Sequence, residues 1–305
     1  MLPIVYHENY SCPFPENHRF VMSKFVRLYD YVRTQGFISA DSSNLFSPEK
    51  ASIQDLSIVH SKQYLTELAT NTMDPKAWRR IGLPWSEGLV ERTFTAPNGT
   101  LLAARLALEN GLACHLAGGT HHAHYDFGSG FCLVNDLAYT AQTLLNSAEA
   151  QTVLIFDCDV HQGDGTAAIL KNEPRAYTCS IHCEKNFPFR KHASDLDVGL
   201  DRFLKDDEYL SIVRQTLNSL LDELQPDIVL YDAGADIWEF DELGHLNVTS
   251  AGVAKRDELV ISTCLSRHIP VATVIGGGYD KDHERLAQRH GIVVDVAHHL
   301  FHQYL

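Results

Sequence analysis

The chain has 305 residues, 45% of them hydrophobic and 21% charged, which is ordinary for a globular protein and long enough for one large α/β domain or two small ones. Its formal net charge of −14 argues against direct binding to nucleic-acid phosphates and suits either colloidal solubility or a cationic partner. No apolar run approaches the ~18 residues of a membrane helix, and the start, Met1 to Glu8, has no basic or apolar signal region, so a cytoplasmic chain with seven reduced cysteines is expected.

In chain order, apolar periodicity predicts helices over about 19–35, 54–70, 99–110, 134–148, 207–224, 250–268 and 281–290. Strand-like runs fall at about 111–117, 152–157, 176–182, 227–232 and 270–275. Strands alternating with helices predict an α/β fold, an open, mainly parallel sheet with helices on both faces. In the 99–110 segment, Asn98 is placed to cap the start and Gly111 the end. Over 207–224, Leu210, Val213, Leu217, Leu220, Leu221 and Leu224 share one face, and Pro226 stops the helix. The least regular regions are about 71–98, with Trp78, Pro84, Trp85 and Pro97, and about 183–206, with Phe187-Pro188-Phe189. Long loops at the ligand end of a sheet often wall a pocket. No internal repeat or domain boundary stands out, so residues 1–305 are expected to form one catalytic domain.

Four of the strands run into segments that combine glycines with polar side chains. Leu112–Ala117 precedes Gly118-Gly119-Thr120-His121-His122. Val153–Phe156 precedes Asp157-Cys158-Asp159-Val160-His161-Gln162-Gly163-Asp164-Gly165. Ile228–Tyr231 precedes Asp232-Ala233-Gly234-Ala235-Asp236, and Val271–Ile275 precedes Gly276-Gly277-Gly278-Tyr279. Alternate side chains of an extended segment point to one side, so Asp157, Asp159 and His161 can converge. Carboxylate and imidazole on one face suit a divalent metal. A polar turn accounts for the glycines but not for three alternating ionisable groups beside an apolar strand. Alone, Asp236 reads as a cap and His121-His122 as an accident. Open parallel sheets bind ligands beyond the carboxyl ends of their strands, so the four ends read as one assembled site.

In this order the four segments resemble the zinc-dependent histone deacetylase family. Ser129-Gly130-Phe131-Cys132, Asn135-Asp136 and Ser180-Ile181-His182 agree with it. The resemblance is closest to the class IV subgroup, as a bacterial-type homologue. It rests there on Asp159 to Gly163, Asp207-Glu208-Tyr209-Leu210, Ala251 to Leu259 and the opening Pro3-Ile4-Val5-Tyr6. The match covers nearly the whole chain and implies the arginase–deacetylase fold.

The resemblance implies zinc-dependent hydrolysis of N-acyl-lysine amides. Asp159, His161 and Asp236 would be the metal ligands, and three protein ligands leave room for water and substrate as catalytic zinc requires. The oxygen-rich set also suits ferrous iron. The resemblance makes His122 the general base and acid and His121 an electrostatic helper, with Asp157 orienting His121 and Asp164 orienting His122. Tyr279 would donate a hydrogen bond to the developing oxyanion. Gly130, Phe131 and Phe187 would line an acyl-lysine channel, the alternative for both rings being a core position. Arg19 matches a position that lines an inner acetate cavity, the alternative being a surface arginine at a helix start. Asp157, Asp159, His161, Ser180 and Ile181 match a structural potassium site.

The implied partners are an acyl-lysine protein or peptide, or a small acylated amine such as an acetylpolyamine, with no direct nucleic acid and no membrane span. Two rivals stand beside the lysine deacylase: an amidohydrolase for acetylpolyamines, and a catalytically weak acyl-lysine binding protein. A ureohydrolase needs a two-metal carboxylate set, whereas this sequence offers a single-metal set with His-His and Tyr. Class IV resemblance further implies a preference for long fatty-acyl groups. That preference needs an apolar cavity beyond the metal and open loops around 12–22 and 131–135.

Overall fold

The computed structural model describes residues 1–305. Eight strands form one sheet: β1 Ile4–Val5, β2 Leu45–Phe46, β3 Leu112–His115, β4 Val153–Asp157, β5 Ala176–Cys183, β6 Leu196–Leu200, β7 Ile228–Asp232 and β8 Val271–Val274. Their order is β2-β1-β3-β8-β7-β4-β5-β6, and every neighbouring pair is parallel. The sheet is therefore all-parallel rather than mainly parallel.

The strand sequences follow from their surroundings. Every residue of β4 and β7 is buried, so both read as continuous apolar runs without alternation. At the edge, β6 alternates between exposed and half-buried positions before ending on buried Leu200.

Ten helices cover the sheet: α1 Lys24–Thr34, α2 Ile53–Leu56, α3 Lys62–Thr70, α4 Pro75–Ile81, α5 Glu87–Asn110, α6 Asp136–Asn146, α7 Asp164–Leu170, α8 Asp206–Leu224, α9 Ser250–Leu265 and α10 His283–Tyr304. Helices α5, α6 and α7 form one contiguous layer, and α1, α10, α9 and α8 pack in succession as another. One continuous cluster of buried apolar side chains joins both layers to the sheet. No helix is long and apolar enough to cross a membrane.

Several boundaries differ from the sequence expectation. Helix α5 starts at Glu87, where the Ser86 side chain accepts from the Leu89 amide, and Pro97 and Asn98 lie inside it. Asn98 is thus no cap. Its side chain donates to the Glu49 carbonyl and accepts from the Tyr139 hydroxyl. The region 71–98 holds α4 and half of α5, and 183–206 holds β6. The 54–70 segment breaks into α2 and α3, the second capped by Ser61. The last helix runs on to Tyr304, well past 290. Strands β1 and β2, two residues each, and the seven-residue α7 are too short for periodicity to reveal.

Candidate active site

The carboxyl ends of β3, β4, β7 and β8 lie side by side, since β8 pairs with both β3 and β7, and β7 with β4. The loops leaving them carry all four predicted segments.

Asp159, His161 and Asp236 are buried and bring one ligand atom each within 4.8 Å of the others. His161 Nδ1 lies 3.0 Å from Asp159 Oδ1 and 3.2 Å from Asp236 Oδ2. Backbone amides fix the carboxylates: Val160 donates to Asp236 Oδ1 at 2.9 Å and Gly277 to Asp159 Oδ2 at 2.7 Å. Asp236 Oδ2 is left buried with no hydrogen-bond partner. A buried carboxylate oxygen without a donor is costly unless a cation meets it. Burial opposes charge on His161, but its bond to Asp159 and the negative charge of Asp236 beside it outweigh that and push it up to about 10. The cluster is thus built to hold positive charge, and two carboxylates with one imidazole fit a divalent ion. Gly277 is required here, because a Cβ at that position would run into the Asp236 carboxylate and lie 2.7 Å from Asp159 Oδ2.

His121 and His122 are buried with their rings 4.1 Å apart. His121 Nδ1 meets Asp157 Oδ2 at 2.7 Å, and His122 Nδ1 meets Asp164 Oδ1 at 2.7 Å. The two imidazoles are driven apart electrically. Burial works against charge on His121, yet Asp157 and Asp159 overcome it and hold the ring well above its ordinary range. Burial and then the neighbouring His121 push His122 down to about 4, against the pull of Asp164. One imidazole is therefore charged and the other neutral near pH 7, as a positive electrostatic group and a base require.

Tyr279 is buried, and its ring lies 5.9 Å from that of Phe131. Burial, then Asp236 and Asp159, hold its hydroxyl well above the ordinary range, so it stays a donor. Its backbone is tied down by residues that sequence reasoning missed. The Tyr279 amide donates to Asp241 Oδ2 at 2.8 Å, and Arg289 Nη2 donates to the Tyr279 carbonyl at 2.9 Å.

A cavity of ≈ 360 Å³ at the mouth is lined by Gly130, Phe131, Phe187, His122, His161 and Tyr279, with others. The Phe187 ring meets His122 edge-on at 4.8 Å. Gly130 has φ +53°, and a Cβ there would lie 2.6 Å from His122 Cδ2 and 2.9 Å from Phe187 Cε1. Only glycine lets the channel wall and the imidazole share that space. Asp159, His161, His121, His122 and Tyr279 also line an inner chamber of ≈ 40 Å³, together with Phe20, Phe25, Lys24 and Arg92.

Arg19 does not line that chamber. It is exposed and lines the outer mouth, among Arg80 and Glu242. The inner cations are Lys24, five residues further on, and Arg92 from α5. Lys24 Nζ lies 3.2 Å from His290 Nε2, and burial with Arg92 nearby pushes the ammonium down to about 8. No local motif marks either residue. The signal, if any, is a cation within an otherwise apolar helical face.

Ser180 is the register partner of Asp157 across β4 and β5, and its hydroxyl lies 3.0 Å from His182 Nδ1. On the other side β7 brings Asp232 level with Asp157. His121, Asp157 and Asp232 form a second close group, in which both Asp232 oxygens are buried without a partner. Burial and Asp157 hold the Asp232 carboxyl well above the usual carboxylate range.

The histone deacetylase domain family matches residues 18–295. The chain belongs to that family. Histone deacetylase 2 of Arabidopsis thaliana is 30% identical over 295 residues, covering 93% of this chain and 76% of that protein. The acetoin utilization protein AcuC of Bacillus subtilis is 28% identical, covering 88% of this chain and 74% of its own length. An uncharacterized protein of Picosynechococcus is 48% identical over 299 residues, covering 98% of this chain and 99% of its own. The crystal structure of the HDA15 HD domain has TM-score 0.79 and 19% identity, covering 98% of this chain and 87% of that one, which shows the same fold. The fold is the arginase–deacetylase fold, and histone deacetylase kinship supports deacetylase-type hydrolysis in general. The family is zinc-dependent, and the Asp159–His161–Asp236 group fits such an ion.

Proposed function

We propose that this protein hydrolyses N-acyl-lysine amides in proteins or peptides, with zinc held by Asp159, His161 and Asp236. The observation that carries the reading is the meeting of that cluster with a neutral, carboxylate-bound His122 and with Tyr279 around the inner chamber. Zinc there would supply Lewis-acid polarisation of the amide carbonyl and of the attacking water.

The chain's own residues account for the rest. Phe131 and Phe187 flank the apolar stem of the lysine. With Nδ1 engaged by Asp164, His122 has Nε2 free to take the proton of the attacking water. A C–O bond forms at the carbonyl carbon, and the Tyr279 hydroxyl donates to the oxygen that gains charge. His121, charged and fixed by Asp157, offsets that negative charge. The C–N bond then breaks, His122 returns its proton to the leaving nitrogen, and lysine amine and carboxylate are released.

The class IV affinity belongs to this reading, supported by the Ala251–Leu259 segment. So does a structural potassium ion at Asp157, Asp159, His161, Ser180 and Ile181, for which the adjacency of Ser180 to Asp157 is the support. Purified protein assayed on acetyl-lysine peptide, myristoyl-lysine peptide and acetylpolyamines tests the function. Exhaustive chelation is expected to abolish hydrolysis and zinc to restore it. Turnover of acetylpolyamines alone would move the substrate assignment to small amines. Hydrolysis unaffected by chelation would overturn the metal assignment.

A further inference from the structure

His124 stands outside the constellation described so far, yet it touches it. Its Nε2 lies 2.9 Å from Asp164 Oδ2, while Oδ1 of the same carboxylate lies 2.7 Å from His122 Nδ1. Asp164 therefore bridges two imidazoles, one on each oxygen. A carboxylate at the start of α7 with one oxygen free can rotate about its broad terminal torsion, and that rotation carries the other oxygen off its target. A donor on the second oxygen removes the freedom.

The placement of His124 is itself fixed from several sides. Phe127 stacks on its ring at 4.3 Å and 16°, and Arg80 from α4 lies over Phe127 at 4.6 Å. The His124 amide donates to the Phe127 carbonyl at 2.9 Å. Its own carbonyl accepts from His60 Nδ1 at 2.9 Å, and His60 Nε2 accepts from the Asn135 amide ahead of α6. Asp164 is the only acidic group bonded to it, and the ring of His192 lies 6.4 Å away.

We propose that His124 is a positioning residue for the hydrolysis, acting through Asp164: its Nε2–H fixes the carboxylate plane, which fixes the tautomer and tilt of His122. Groups that orient a catalytic side chain at one remove commonly change activity by about 10- to 100-fold when lost, as known for metal ligands. The plain alternative is that His124 only stabilises the 124–127 turn by stacking.

The kinetic arm of the test rests on the deacylase reading. His124→Phe keeps the stacking partner but has no donor, and His124→Gln places an amide donor near the same spot. On an acetyl-lysine peptide, His124→Phe is expected to lower kcat about tenfold with little change in KM, and His124→Gln to recover most of the loss. In an Asp164→Asn background, His124→Phe should have little further effect, because residues acting as a unit are non-additive. Parent-like kcat in the Phe variant, equal damage in Phe and Gln variants of unchanged melting temperature and zinc content, or additivity with Asp164→Asn would overturn the proposal. Should the Phe variant fail to fold, His124→Asn, whose amide falls one bond short, takes its place in the same comparison.

A second arm needs no turnover. The Nδ1 proton of His122, recognised in the NMR spectrum as the downfield signal that Asp164→Asn removes, should broaden in His124→Phe and persist in His124→Gln. A sharp, unshifted signal in His124→Phe sinks the positioning role even if the parent hydrolyses nothing. An inactive parent with a broadened signal sinks the deacylase reading and leaves the positioning role standing.

Discussion

At the residue scale the site depends on pairing each imidazole with its own carboxylate. His121 and His122 are neighbours in sequence; Asp157 and Asp159 raise His121, while burial and His121 itself lower His122 against the pull of Asp164. His122→Ala and Tyr279→Phe are expected to lose activity on the order of a hundredfold or more while keeping fold and zinc content. Steady-state kinetics with circular dichroism and metal analysis check this, and parent rates in both variants would refute the assigned roles. His122, Tyr279, Asp159, His161 and Asp236 could be singled out in the sequence as candidates because each lies just past the end of an apolar strand, in a segment that also holds glycine. Lys24, Arg92, Asp241 and Arg289 could not, because they reach the site from elements remote in the chain.

At the element scale the loop after β7 is held from behind by α9. Arg256 is fully buried, donates to the Gly234 carbonyl at 2.6 Å and the Ala233 carbonyl at 3.1 Å, and pairs with Asp257 at 2.9 Å. Asp257 also accepts from the Tyr231 hydroxyl at 2.6 Å. The segment Ala251 to Leu259, singled out in the sequence by resemblance, thus braces the loop that carries Asp236. Arg256→Met leaves Asp257 buried and uncompensated, which typically costs about 3–5 kcal/mol. Urea unfolding should show that loss, and zinc titration should show weaker binding, with intact Asp159, His161 and Asp236.

The room open to an acyl chain is also set between elements. The inner chamber offers only ≈ 40 Å³, and Phe20 lines both it and a ≈ 400 Å³ cavity bounded by Cys12, Phe14, Val21 and Met22. The long-chain preference implied by the class IV resemblance needs more room than the chamber offers with Phe20 in place. Each methylene buried is worth about 0.8 kcal/mol, so joining the two cavities matters. The expected outcome is a higher kcat/KM for acetyl-lysine than for myristoyl-lysine in the same peptide, and a ratio shifted toward myristoyl in Phe20→Ala. A myristoyl preference in the parent would show that the ring swings aside unaided.

At the scale of the whole molecule, stability comes from a sheet buried on both faces. Leu230, at 0% exposure in β7, sits between β4 and β8 with Ile155 and Ala272 as register partners. Leu230→Ala should cost about 2–5 kcal/mol through lost burial and the cavity left behind. Urea denaturation reads this as a lower midpoint at unchanged slope. A cost under 1 kcal/mol would mean that the layers collapse around the gap.

The sequence by itself determined the alternation of strands and helices, the catalytic-type segments and the family. These are local: a buried parallel strand must be apolar throughout, and the glycines and ionisable groups follow it directly along the chain. Helix α5 shows the limit, since Pro97 reads locally as irregular chain and Asn98 as a helix start, and tertiary packing carries the helix through them. Only the tertiary structure decided that β1 and the edge strands β2 and β6 join the sheet, that Arg19 stays at the mouth while Lys24 and Arg92 reach the inner chamber, and that Arg256, Arg289 and His124 stand behind the site. Those positions depend on contacts between distant segments. Burial makes such contacts strong, and no spacing along one segment records them.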